Sequence, residues 1–157
     1  VIDHMGKLNM DFYLYGPKED PYHRVRWKEK YPLETKKTLR ALVDQCKKNK
    51  ISPIFSLSPG LKLSRSSSSQ KKHLLSKYLQ AREMGFEEFA IFFDDIGHKR
   101  DKYLAESHLE TIEQLKSLDF TEVTPLQVSP PVYLKAFQRA VITIIDYLNP
   151  CPKVIIP

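Results

Sequence analysis

Short apolar runs alternate along this chain with longer stretches whose apolar residues recur at helical spacing, and that alternation limits the fold more than any other feature. The run Phe89-Ala90-Ile91-Phe92-Phe93 reads as a strand buried on both faces, within a strand expected over Phe86 to Phe93. Phe12 to Tyr15 and Ile51 to Leu57 also read as strands, the first ended by Pro17 and the second by Ser58-Pro59-Gly60. Between them, Pro32 and Glu34 open a predicted helix closed by Asn49. Its inner stripe is Leu39, Leu42, Val43 and Cys46, with Lys36, Lys37, Arg40, Lys47 and Lys48 toward water. His73, Leu74, Tyr78, Ala81 and Met84 mark a second helix with Gly85 at its carboxyl end, and Met5 to Met10 reads as the tail of another. Leu134, Phe137, Val141, Ile144, Ile145 and Leu148 give a core stripe to a helix from Pro131 that Pro150 halts, before a further strand at Val154-Ile155-Ile156. Strand, helix and strand in this order need crossover connections, so the expected class is α/β with a parallel sheet.

Composition narrows the class. The chain has 157 residues, 41% hydrophobic and 28% charged, an ordinary globular balance able to bury a core. Its apolar stretches are broken by charge or Pro well short of the roughly 18 residues a membrane span needs, and no amino-terminal signal peptide is read. No membrane partner is expected, and a cytoplasmic site is favoured over secretion. The net charge of +6 would suit a phosphate or carboxylate partner, yet the 25 Lys and Arg are dispersed among 19 acids. That pattern is a solvated surface, so no nucleic-acid partner is expected. Cys46 on a predicted helix and Cys151 between prolines supply neither a disulfide framework nor metal-ligand spacing. The serine-rich tract around Arg65 lies between a strand and a helix and reads as a loop.

Candidate chemistry begins where the third strand ends, at the adjacent carboxylates Asp94 and Asp95. In α/β folds, catalytic groups collect where buried strands emerge into loops. Paired aspartates also suit a plain turn or a helix N-cap, so the pair alone is ambiguous. Two further strand exits sharpen it: Phe12-Tyr-Leu-Tyr-Gly-Pro-Lys-Glu-Asp-Pro-Tyr-His-Arg24, followed by Trp27, and Ile54-Phe-Ser-Leu-Ser-Pro-Gly60.

Taken in order, these three segments resemble glycoside hydrolase family 84, the retaining β-N-acetylglucosaminidases that include protein O-GlcNAcase and hyaluronidase-like enzymes. The family pattern runs tyrosine-alanine-proline-lysine-aspartate-aspartate, then serine-proline-glycine, then phenylalanine-aspartate-aspartate-isoleucine. Gly16 and Glu19 stand where the family has alanine and aspartate, which bears on loop shape rather than chemistry. The resemblance implies a (β/α)8 TIM barrel, which when complete takes about 250 residues. Residues 1–157 are therefore expected to be a partial glycosidase catalytic barrel, about half of one, with strands corresponding to the second through the fifth. The family's first strand is expected before Val1 and its threonine-glutamate-tyrosine loop after Pro157. Residues 97–130 depart from the family and are expected to form an insertion, in which Leu109, Ile112, Leu115 and Leu118 suggest a short amphipathic helix.

The activity implied is removal of terminal GlcNAc from glycoproteins or glycans, with retention. The substrate's own acetamido oxygen attacks the anomeric carbon to give an oxazoline, one of the exceptions to the two-carboxylate scheme. By this resemblance Asp94 orients the acetamide N–H, Asp95 is the general acid and base, and Lys18 hydrogen-bonds the sugar. The plain alternative for Lys18 is a surface lysine after a Pro turn, and most of Asp20, Tyr22, His23, Arg24 and Trp27 in the same motif are expected to shape the loop and pack it against a neighbour. His23 and His98 are expected to be structural. Adjacent strand residues point to opposite faces, so both acids can line one site only if the backbone turns irregular near Asp95. The chemistry implies no metal and no organic cofactor. The alternative function is a truncated, non-catalytic derivative used for binding or assembly, with self-association through open barrel edges.

Overall fold

The first three strands are short because each is stopped by a turn residue or a change of burial, and each is followed by a chain length that crosses back. The computed structural model describes residues 1–59, 68–93, 108, 110–113 and 127–129, the last as backbone. The elements in order are α1 (Ile2–Lys7), β1 (Phe12–Tyr15), α2 (Leu33–Lys48), β2 (Ser52–Leu57), α3 (Ser68–Glu83), β3 (Glu88–Phe92) and β4 (Gln127–Ser129). The strands lie side by side as β1-β2-β3-β4 in one four-stranded sheet, and all three pairings are parallel. The parallel α/β expectation therefore holds, with β1 as predicted, β2 trimmed at its amino end and β3 trimmed at both ends.

Side-chain alternation divides the sheet into two faces. Phe55 and Leu57 of β2 and Phe89 and Ile91 of β3 join Leu39, Val43, Leu74, Tyr78 and Ala81 in one core cluster, so this face meets the helices. Phe55 is fully buried, edge-on to Phe86 at 5.4 Å and to Tyr78 at 6.1 Å. Ile54, Ser56 and Ala90 point to the other face and are equally buried. Along β1 this other face is open: Phe12 is 58% exposed and Leu14 36%.

Helices α1, α2 and α3 end in the same way, with the next-but-one residue in the left-handed region. The pairs of closing hydrogen bonds are Asn9 N–H to Gly6 and Met10 N–H to Met5, Lys50 N–H to Lys47 and Ile51 N–H to Cys46, and Gly85 N–H to Arg82 and Phe86 N–H to Ala81. The left-handed residues are Asn9 (φ 53°), Lys50 (φ 59°) and Gly85 (φ 97°). This arrangement satisfies the last carbonyls of a helix and packs an apolar residue back on its final turn. It corrects one sequence expectation and refines another. Helix α1 starts earlier and stops at Lys7, so Leu8 to Met10 is its cap. Asn49 caps α2 as expected, and the left-handed residue follows it at Lys50.

One difference and one agreement lie late in the chain. Gln127–Ser129, at the far end of the stretch expected to be an insertion, pairs in parallel with β3 although three residues are too few to show a strand period. Residues 108 and 110–113 are helical within the expected amphipathic helix, and Ile112 packs on the main core. The helix expected from Pro131 and the strand at Val154-Ile155-Ile156 lie outside the described residues.

Lys77 of α3 is the core's one charged member among the described residues, 3% exposed. Its Nζ donates to the Glu29 carbonyl and sits 4.3 Å from the Tyr31 ring centroid. Desolvation outweighs the pull of Asp20 and Glu29 and lowers its pKa from 10.5 to about 8. Between those values the unfolded chain binds more protons, so the cost of burying the charge is full below about pH 8 and is relieved as pH rises. Tyr15 and Tyr31 are held above the ordinary phenol value by burial, so stability turns down again above pH 10. Urea midpoints should rise from about pH 8 to about pH 10 in the natural protein, and Lys77→Met should flatten that rise. Equal slopes in the two proteins would remove Lys77 as the cause.

Candidate functional site at the carboxyl rim

Parallel pairing sends the chain out of β1, β2 and β3 at one rim of the sheet. The register places Tyr15 beside Phe55 and Leu57 beside Ile91, so Lys18, Ser58-Pro59 and Phe93 all follow neighbouring strand ends. Lys18 is exposed in a turn closed by the Asp20 N–H on the Pro17 carbonyl at 3.2 Å. Asp94 and Asp95 lie outside the described residues, as do Gly60 and His98. Phe93, the residue before the acids, is buried, and its ring is stacked on His108 at 3.8 Å with 13° between planes. Burial drives the His108 pKa down to about 4, so its ring is neutral at pH 7. Its Nδ1 has no hydrogen-bond partner among the described residues.

The loop from Pro17 to Tyr31 carries Lys18 and is tied down by the Asp20 carboxylate. Asp20 Oδ2 accepts from the Tyr15 hydroxyl at 2.9 Å and the Tyr31 hydroxyl at 2.6 Å, and Oδ1 accepts from the Tyr22 N–H at 2.8 Å. A short acid can do this because the tyrosines stand at the loop's two ends, on the strand before it and just ahead of α2. From α3, Gln80 Oε1 accepts from the Tyr31 N–H at 2.7 Å, and Lys77 holds the Glu29 carbonyl. Trp27 is buried in the core cluster and anchors the middle of the loop. Asp20 stands between Tyr15 and Tyr31 in the sequence, whereas Gln80 and Lys77 of α3 gave no signal, because neither belongs to the apolar stripe by which that helix was read.

Gly16 marks a close approach at the end of β1. A Cβ there would stand 2.5 Å from Ser56 Oγ and 3.6 Å from His23 Nε2. Ser56 uses that hydroxyl to donate to the Tyr15 carbonyl at 2.7 Å. The departure from the family's alanine at this position therefore has a local reason: the serine hydroxyl occupies the space a methyl would take. Among the described residues, no group of three or more His, Cys, Asp or Glu is placed to hold a metal ion. No described helix is long and apolar enough to cross a membrane.

These features define a parallel α/β protein whose loops gather at the carboxyl rim, the usual location of chemistry in that class. A family model described as beta-N-acetylglucosaminidase matches residues 1–151, and the chain belongs to this family. Over 94 residues it is 36% identical to the protein O-GlcNAcases of Rattus norvegicus and Mus musculus, alignments covering 60% of this chain and 10% of each relative. The chain thus spans about a tenth of the length of these curated relatives. Among solved structures it is similar to CpGH84B, with a TM-score of 0.75, 30% identity and coverage of 84% of this chain and 24% of that one. A Thermobaculum terrenum O-GlcNAc hydrolase mutant gives a TM-score of 0.75 at 32% identity, covering 84% of this chain and 31% of that one. The resemblance read from three short motifs and the family match agree.

The Gly16 contact yields a double-mutant test. Gly16→Ala should displace the Ser56 hydroxyl and cost about 1 kcal/mol in urea unfolding, the worth of one hydrogen bond. In a Ser56→Ala background the same change should cost much less, because the colliding atom is gone. Equal costs in both backgrounds would mean that the Ser56 hydroxyl is not the obstacle.

Proposed function

We propose that this chain is part of a retaining exo-β-N-acetylglucosaminidase that removes terminal GlcNAc from glycoproteins or glycans by substrate-assisted catalysis. The reading rests on family membership over residues 1–151, and the names of the O-GlcNAcase relatives suggest the substrate class. The parallel order of the strands suits a (β/α)8 barrel, and the chain would supply its second through fifth strands.

In this mechanism Asp94 accepts a hydrogen bond from the acetamide N–H and steadies the positive charge that builds as the oxazoline closes. Asp95 protonates the leaving oxygen, then takes a proton from the water that opens the ring. The first acid must be ionised and the second protonated at the start, so their pKa values must be driven apart. The buried Phe93 ring on a neutral His108 brings apolar surface up to the residue before the pair, which favours a raised carboxyl pKa nearby. Lys18, exposed at the exit of β1 two strands away on the same rim, would hydrogen-bond a sugar hydroxyl.

A second reading, assembly with another polypeptide or a second copy, is favoured by the open apolar face of β1 at Phe12 and Leu14. Light scattering of this chain on its own distinguishes a monomer from that outcome.

The leading reading is tested on the full-length protein with a fluorescent GlcNAc glycoside. Asp95→Asn should lower kcat by about 100-fold or more, the usual scale for losing a general acid. Lys18→Ala should act mainly on KM. Unchanged turnover in Asp95→Asn would sink the assignment.

A further inference from the structure

The loop that carries Lys18 touches the exit of β2 through one buried side chain, His23, which is 2% exposed. Its Nδ1 lies 2.9 Å from the Ser56 carbonyl oxygen. A carbonyl can only accept, so Nδ1 carries the hydrogen and the tautomer is set by β2 itself. The backbone of the same residue is also bonded: the His23 carbonyl accepts from the Ser58 N–H at 3.1 Å, and the His23 N–H donates to the Asp20 carbonyl at 3.3 Å. Asp20 in turn closes the turn that holds Lys18, and Ser56 reaches back from β2 to the Tyr15 carbonyl. His23 is therefore hydrogen-bonded at once to β2, to the Ser58-Pro59 exit and to the Lys18 turn.

We infer that His23 is a positioning residue that sets Lys18 relative to the neighbouring strand exit, and so sets where the sugar sits against the acid pair. The inference rests on the function proposed above. His23 does not touch the substrate in this scheme; it acts through Lys18. Misplacement of a substrate-binding group by a fraction of an ångström is enough to lower turnover, because the reacting atoms must approach within a narrow range.

Two amide variants separate this role from simple packing. His23→Asn places a donor near Nδ1, whereas His23→Gln places one near Nε2, and the two have similar polarity. In the full-length protein, hydrolysis of a fluorescent GlcNAc glycoside should fall about tenfold in kcat/KM for His23→Gln and by less than about threefold for His23→Asn, as expected for one buried hydrogen bond. The comparison is repeated in a Lys18→Ala background. There the difference between the two amides should disappear, since a residue acting through Lys18 has nothing left to position. Equal activity of the two variants, or a difference that persists without Lys18, would overturn the inference. Asp95→Asn is measured alongside: if that variant is fully active, the glycosidase reading itself fails, whereas its inactivity beside equal amide variants removes only the role of His23. Should His23→Gln not fold, His23→Asn alone decides, because a tenfold loss in a variant that keeps the Nδ1 donor contradicts the proposal.

Discussion

Parallel pairing of β1, β2 and β3 is the constraint on which the rest of the structure depends. Once Tyr15 lies beside Phe55 and Leu57 beside Ile91, the loops leaving these strands share one rim, however far apart their residues stand in the chain. Parallel neighbours need crossovers, and α2 and α3 provide them while covering the Phe55, Leu57, Phe89 and Ile91 face. The arrangement separates two tasks. Aromatic packing around Phe55 gives the layer its cohesion, and the rim is left for polar groups whose positions are set by hydrogen bonds.

Those hydrogen bonds are concentrated on one loop. Asp20 gathers the Tyr15 and Tyr31 hydroxyls, His23 bonds to β2, and Lys77 and Gln80 reach in from α3. A buried lysine is an expensive way to hold a carbonyl, as its depressed pKa shows. The tyrosine faces beneath it and the nearby Asp20 carboxylate offset part of that cost. The loop that carries the exposed Lys18 is thereby held at both ends.

The elements were largely legible in the sequence, for a physical reason that differs between strands and helices. β1 was read residue for residue because Pro17 ends it, and the α2 stripe of Leu39, Val43 and Cys46 is buried as its spacing implied. Gly85 adopts the left-handed turn that glycine suits best. Lys50 does the same without glycine's freedom, held by the Ile51 N–H on the Cys46 carbonyl and by packing of Ile51, and no local signal announces that. β4 escaped notice because three residues carry no period; only the edge of β3 makes a strand of them.

The sequence by itself determined the α/β class, the order of strands and helices and the family, since hydrophobic periodicity and short motifs are properties of neighbouring residues. Tertiary structure alone decided that Asp20 joins two tyrosines, that Lys77 is buried rather than solvated, and that Gly16 leaves room for the Ser56 hydroxyl. The last two depend on which distant segments the fold brings together, and residue type says nothing about a partner that lies 40 or more positions away in the chain, as Ser56 lies from Tyr15 and Lys77 from Glu29. The Asp20 bonds span less of the sequence and depend on how the loop folds back on itself.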